Sequence, residues 1–285
     1  MKSLRHFCLL LSLVLTINVA CVAQNEENLV LVDTIKVESE CLQKAIKSTV
    51  VLPAQYFDAD MQEEQYPVVY LLNGYGGDYK SWVVSKGDLD ALASDYGVIF
   101  VCPDGQNSWY WDSPVVKNYN FESYIITELV PYIDNSFRTI PDKNFRAITG
   151  LSMGGHGALW LAIRHSDVFG VAGSMSGGVN IIPFPEKWEM KKLLGDYATN
   201  KEVWQKHTVI NLVPTLKKDQ LKIIFDCGSE DFFYKVNCDL HEALLKAGIP
   251  HDFISRPGTH NWTYWTNSLD YQMLFFSKAF EQEAE

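Results

Sequence analysis

The chain has 285 residues, 47% of them hydrophobic and 21% charged, and its 35 acidic residues against 24 Lys and Arg give a formal charge of −11. Such a composition belongs to a globular chain with enough apolar residues for a sizeable core. An acidic surface repels nucleic acid and anionic lipid, which need clustered Lys and Arg, so neither is an expected partner.

The N-terminus reads Met-Lys-Ser-Leu-Arg-His, then runs apolar from Phe7 to Ala20 and meets the small-residue boundary Cys21-Val22-Ala23 before Gln24. This is the layout of a secretory signal peptide, so residues 1–23 are expected to be cleaved after Ala23 and the protein to be secreted or periplasmic. Lipid attachment at Cys21, preceded by Val19 and Ala20, is the less favoured alternative, because Asn18 stands where a Leu is expected. The apolar run falls short of the roughly 20 residues that cross a bilayer, and no later stretch is a candidate, so no transmembrane segment is expected. Cleavage removes Lys2 and Arg5 and no acidic residue, which moves the formal charge from −11 to −13.

Residues 24–285 read as a single α/β domain, with no repeat, low-complexity stretch or Pro/Ser-rich linker to divide them. Four cysteines remain after the signal: Cys41, Cys102, Cys227 and Cys238. They form no Cys-x-x-Cys pair and no metal-like spacing with His, so no metal is expected. Export permits a disulfide, but the sequence does not choose among pairings or against buried free thiols.

In chain order, strands are predicted at Asp33–Ser39, Ala45–Leu52, Val68–Leu72, Val98–Cys102, Arg146–Thr149, Val171–Ser174, Leu221–Asp226 and Asp252–Ser255. The first two follow each other closely and suggest an antiparallel start, and the last six read as buried strands of a mostly parallel sheet. Helical patterns fill the gaps at Asp88–Tyr96, Glu122–Phe137, Met153–His165, Val236–Ala247 and from Asn267 to about Gln282. In the second of them Tyr124, Ile125, Leu129, Tyr132 and Ile133 recur at spacings of three and four, an apolar stripe that Pro131 interrupts. Alternation of this kind predicts βαβ units with helices on both faces of a sheet of about eight strands. Residues 178–216 break the alternation, carry Trp188, Tyr197 and Trp204 among charged residues, and read as a helical insertion forming one wall of a pocket. The acidic stretch Asp58 to Glu64 reads as a solvated turn.

The first chemical signal is Leu71-Leu72-Asn73-Gly74-Tyr75-Gly76-Gly77, a glycine-rich loop after the third strand. It suits one half of an oxyanion hole, with the Tyr75 amide as donor. Next, Trp109-Tyr110-Trp111 offers aromatic faces on which a substrate could stack, although aromatic residues in loops serve as often in core packing.

The strongest signal is Gly150-Leu151-Ser152-Met153-Gly154, a Gly-x-Ser-x-Gly sequence between an apolar strand and a helix, which is the context of a nucleophile elbow. Ser152 is then the nucleophile and the Met153 amide the second oxyanion donor. Nucleotide-binding loops fail on spacing: no Lys follows these glycines, and the sixth position counted from Gly74 is Tyr79. No cofactor is therefore expected. A base follows the acid in this order of chemistry, and His260 in Pro257-Gly258-Thr259-His260-Asn261-Trp262 lies after the last strand, where the base belongs. For the acid, Asp226, Glu230 and Asp231 compete in Asp226-Cys227-Gly228-Ser229-Glu230-Asp231. Asp226 is still on the strand, and Asp231 is preferred over Glu230.

These residues resemble the esterase D family, which includes S-formylglutathione hydrolases, carbohydrate-directed feruloyl and acetyl esterases, and mycolyltransferases. The resemblance runs from Val68 through Trp262 and rests on the loop at 71–77, Pro103-Asp104-Gly105, Trp109-Tyr110-Trp111-Asp112-Ser113, the elbow through Gly157, and Gly228-Ser229-Glu230-Asp231. It implies an α/β-hydrolase fold, a Ser152–Asp231–His260 triad, and oxyanion donors at Tyr75 and Met153. Asn73 departs from the family, much of which has His there. By the same resemblance, export disfavours an intracellular formylglutathione substrate and favours a small-molecule or polysaccharide-linked ester. A hydrolase, an acyltransferase that excludes water and a catalytically silent carbohydrate-binding relative remain open, and the intact triad disfavours the last. The oligomeric state is left open.

Overall fold

The computed structural model describes residues 31–284, so the expected signal peptide and its cleavage site lie outside the described residues. Eight strands, β1 (Val32–Ser39), β2 (Lys44–Val51), β3 (Val68–Leu72), β4 (Ile99–Pro103), β5 (Arg146–Gly150), β6 (Val171–Met175), β7 (Lys222–Gly228) and β8 (Asp252–Arg256), form one sheet in the order β1-β2-β4-β3-β5-β6-β7-β8. Strands β1 and β2 pair antiparallel, β2 meets β4 antiparallel, and every pairing from β4 to β8 is parallel. Each predicted strand is present to within two residues at either end.

Why the central strands are continuous apolar runs follows from their position. In Val68–Leu72 every residue is buried, but the residues divide by parity. Val68, Tyr70 and Leu72 pack into one core, with the helix Met153–Arg164 and residues from 121–136 and 234–247. Val69 and Leu71 pack into the other, against the helices Leu89–Tyr96 and Trp262–Ala284. A strand with a core on both faces has no solvent face to alternate toward. The expectation of six buried strands fails at β8. It is the outermost strand, pairs only with β7, and has no fully buried residue.

The helices match the sequence reading with three corrections. The helix at 121–136 contains a π turn, Tyr124–Leu129, just before Val130–Ser136; Pro131 in that last segment has no amide hydrogen to give the preceding turn. A five-residue helix, Ser81–Ser85, stands where none was predicted. The C-terminal helix starts at Trp262, not Asn267, because the Asn261 side-chain oxygen accepts from the Tyr264 amide at 3.1 Å and caps the first turn. Residues 178–216 carry only short helical pieces, Met190–Leu194, Lys201–Lys206 and a 3₁₀ stretch Val209–Thr215. Among the described residues no helix is long and apolar enough to cross a membrane, and all four cysteines are unpaired, Cys102 and Cys227 being buried.

Candidate active site

Because β3, β5, β7 and β8 run parallel, the loops that leave their carboxyl ends share one edge of the sheet. Those loops carry Asn73–Gly77, Ser152, Asp231 and His260. Segments 75 to 79 positions apart in the chain, with His260 a further 29 beyond Asp231, thus converge on one place.

Ser152 follows β5 with φ 56° and ψ −115°, a left-handed conformation that a non-glycine residue adopts only where its surroundings impose it. The neighbouring glycines are what allow it. A Cβ on Gly154 would lie 2.4 Å from the Leu72 carbonyl oxygen, and one on Gly150 would lie 2.7 Å from the same oxygen. Any side chain at either position would push β3 and the helix Met153–Arg164 apart. The turn is also tied from below, since the Ser152 amide donates to Met175 O at 2.9 Å and the Gly178 amide donates to Ser152 O at 3.2 Å.

The side chains meet in a continuous relay. His260 Nε2 lies 2.9 Å from Ser152 Oγ, and His260 Nδ1 lies 2.7 Å from Asp231 Oδ2. The second Asp231 oxygen accepts from the Phe233 amide at 2.8 Å, which fixes the carboxylate plane. The other two carboxylates take other positions. Glu230 is exposed. Asp226 is buried beneath the C-terminal helix, where it accepts from Ser268 Oγ at 2.6 Å and Gln272 Nε2 at 2.7 Å, and burial raises its pKa.

In the loop after β3, the Gly76 amide donates to Asn107 Oδ1 at 2.7 Å and the Gly77 amide to Gly74 O at 3.0 Å. The Tyr75 amide between Gly74 and these two has no acceptor among the described residues, and neither has that of Met153, the first residue of its helix. Asn73, the position where the sequence departs from the family, holds this loop. Its Oδ1 accepts from the Gly105 amide at 2.9 Å and the Tyr110 hydroxyl at 2.8 Å, while its Nδ2 donates to Gly74 O at 2.9 Å.

Trp109, Tyr110 and Trp111 are not in the cleft, contrary to the expectation that they bind substrate. All three are at most 1% exposed. Trp109 and Tyr110 have positive φ, 56° and 61°, so the chain doubles back and turns the rings into the core. There Trp111 stacks on Trp109, and its Nε1 donates to His156 Nε2 at 2.8 Å. The His156 Nδ1–H then donates to Gly178 O at 2.9 Å. Burial holds the His156 pKa down to about 3, so the ring stays neutral and its two nitrogens keep these opposite roles. This histidine pins the start of the insertion beneath Ser152, and nothing in its sequence position marked it.

The aromatic side chains that do line the cleft beside Ser152 and His260 are those of Tyr75, Trp188, Phe232, Trp262 and Trp265, around a volume of about 460 Å³. Phe232 lies over His260 at 4.3 Å between ring centroids, and Trp265 meets the same imidazole edge-on at 4.8 Å. Trp188 comes from the insertion, which therefore does form a wall as its sequence suggested. Trp262 and Trp265, three apart, share one face of the first turn of the C-terminal helix, a spacing that becomes legible once Asn261 is seen as the cap.

An eight-stranded, mostly parallel sheet with helices on both faces and this elbow after β5 is the α/β-hydrolase fold. Residues 39–276 match the family model described as "Putative esterase", and the chain belongs to that family as a carboxylic ester hydrolase. It is 28% identical to an acetyl esterase from Caldicellulosiruptor saccharolyticus over 85% of this chain and 96% of that protein. It is 36% identical to an endo-1,4-beta-xylanase/feruloyl esterase from Xylanibacter ruminicola over 81% of this chain, which spans only 29% of that protein. A solved ferulic acid esterase superposes with a TM-score of 0.74 at 29% identity, covering 87% of this chain and 98% of the other.

Proposed function

We propose that this protein is an exported serine esterase that cleaves neutral carboxylic esters through Ser152, His260 and Asp231, with the Tyr75 and Met153 amides as oxyanion donors. The observation that carries the reading is the relay of 2.7 Å and 2.9 Å contacts from Asp231 through His260 to Ser152 Oγ. In the reaction, His260 Nε2 takes the proton from Ser152 Oγ as that oxygen attacks the ester carbonyl carbon. The carbonyl oxygen becomes an oxyanion held by the two free amides. Collapse breaks the bond to the alcohol oxygen, which leaves with the proton from His260. Water then attacks the acyl-enzyme, His260 again removes a proton, and Ser152 is released with the carboxylic acid. Asp231 keeps Nδ1 protonated throughout, so that Nε2 faces the serine as an acceptor.

Residues 24–285 form the exported esterase domain in this reading. Export is supported by the pattern of Lys2, Arg5 and the apolar run from Phe7 to Ala20. The aromatic walls of the cleft suit a flat or short acyl group, and among the described residues no Lys or Arg lines the cleft to pair with an anionic one. Relatives described as acetyl and feruloyl esterases support acetyl and feruloyl groups, free or carried on plant polysaccharide, as the substrates. A panel of acetyl, butyryl, feruloyl and succinyl esters tests this. Neutral esters are expected to exceed the succinyl ester in kcat/KM by at least about tenfold, because a carboxylate entering the cleft loses water without gaining a partner. Equal values for butyryl and succinyl esters would contradict the charge argument.

A further inference from the structure

Tyr75 enters the site twice. Its amide is the proposed oxyanion donor, while its hydroxyl donates to Glu189 Oε2 at 3.1 Å across the mouth of the cleft. Burial and the facing carboxylate raise the phenol above the usual tyrosine range, so the hydroxyl remains the donor. Glu189 belongs to the insertion after β6 and is also paired with Lys192. It and its neighbour Trp188 both have left-handed backbones, φ 54° and 48°, although neither is glycine. Two adjacent residues in that region need an outside constraint to hold them there.

The arrangement continues beyond Glu189. Trp188 lines the cleft and stacks on Phe232 at 5.9 Å and 24° between ring planes, and Phe232 lies over His260. The oxyanion loop, the insertion and the base are thus joined by one arch of contacts over Ser152. In the loop itself, Gly76 and Gly77 are tied through their amides to Asn107 and Gly74, whereas the amide of Tyr75 must stay free for the reaction. Its hydroxyl is the tie that remains.

We infer that Glu189 is a positioning residue for catalysis: by holding the Tyr75 hydroxyl it aims the Tyr75 amide at the developing oxyanion and clamps the insertion over the cleft. The inference rests on the oxyanion role of Tyr75 proposed above. A charge-assisted hydrogen bond of this kind, partly open to water, is strong enough to set the pose of a loop without being needed for folding.

The test compares Tyr75→Phe, Glu189→Ala, Glu189→Gln and the Tyr75→Phe/Glu189→Ala double variant on a short neutral ester. Hydrogen exchange is followed in segments 73–77 and 186–192. Tyr75→Phe and Glu189→Ala are each expected to lower kcat about five- to tenfold with KM changed less than about twofold, the pattern of a contact that acts in the transition state. Glu189→Gln keeps an acceptor oxygen and recovers most of the rate. The double variant loses no more than either single one, and exchange accelerates in both segments. Multiplying losses in the double variant, or a rise in KM at constant kcat, overturn the positioning role. Faster exchange with unchanged kcat overturns the oxyanion role of Tyr75 on which the inference rests, and unchanged exchange with unchanged kcat overturns the bridge itself.

Discussion

Ser152→Ala is expected to abolish ester turnover while leaving the melting temperature within a few degrees of the parent. In the proposed mechanism the oxygen removed is the attacking atom, and loss of such a nucleophile costs on the order of a million-fold. The fold should survive because the constraints on the elbow lie elsewhere: in the bare Cα atoms of Gly150 and Gly154, and in the backbone hydrogen bonds from the Ser152 amide to Met175 O and from the Gly178 amide to Ser152 O. None of these uses the hydroxyl. Steady-state hydrolysis and a thermal melt on the same preparation decide the point. Residual activity above about a thousandth of the parent would remove Ser152 as nucleophile, since an enzyme that has lost its nucleophile keeps only about a millionth of the rate.

Asp231→Asn is expected to lower kcat by about four orders of magnitude, and Glu230→Gln to leave it within about twofold. The two residues are adjacent, yet the geometry separates them completely. Asp231 accepts the His260 Nδ1–H at 2.7 Å and is locked by the Phe233 amide, whereas Glu230 is exposed. An asparagine at 231 can turn its NH₂ toward Nδ1, which then becomes the acceptor; Nε2 carries the proton and can no longer take one from Ser152. Near-normal kcat for Asp231→Asn, or a collapse for Glu230→Gln, would reverse the assignment.

What the sequence revealed divides along a physical line. Gly150-Leu151-Ser152-Met153-Gly154 is legible because a strained turn leaves few residue choices, and those choices are contiguous in the chain. The strands were legible because a sheet covered on both faces demands unbroken apolar runs, as in Val68–Leu72. The strand β8 misled because Asp252–Arg256 carries Phe253 and Ile254, which look like a buried strand although its outer edge has no neighbour.

The aromatic residues were the hardest to place, for a reason the backbone supplies. Trp109-Tyr110-Trp111 looked like a stacking platform, but positive φ at the first two turns the run inward, and φ is not written in the residue names. The rings that face the cleft come one or two at a time from four separate segments: Tyr75, Trp188, Phe232, and Trp262 with Trp265. Their meeting is a tertiary fact. Asn73 and His156 were missed for a related reason. Each works through hydrogen bonds to residues at least 20 positions away, Asn73 to Gly105 and Tyr110, His156 to Trp111 and Gly178.

Covalent labelling tests the central claim most directly. The protein is treated with an aryl phosphonate ester, which a serine nucleophile attacks to form a stable tetrahedral adduct, and digested for peptide mass analysis alongside an activity assay. One adduct per chain on the oxygen of Ser152, formed in step with the loss of esterase activity and absent from Ser152→Ala, is the predicted result. Full esterase activity in protein fully labelled at Ser152, or inactivation with the adduct on another residue, would contradict the account.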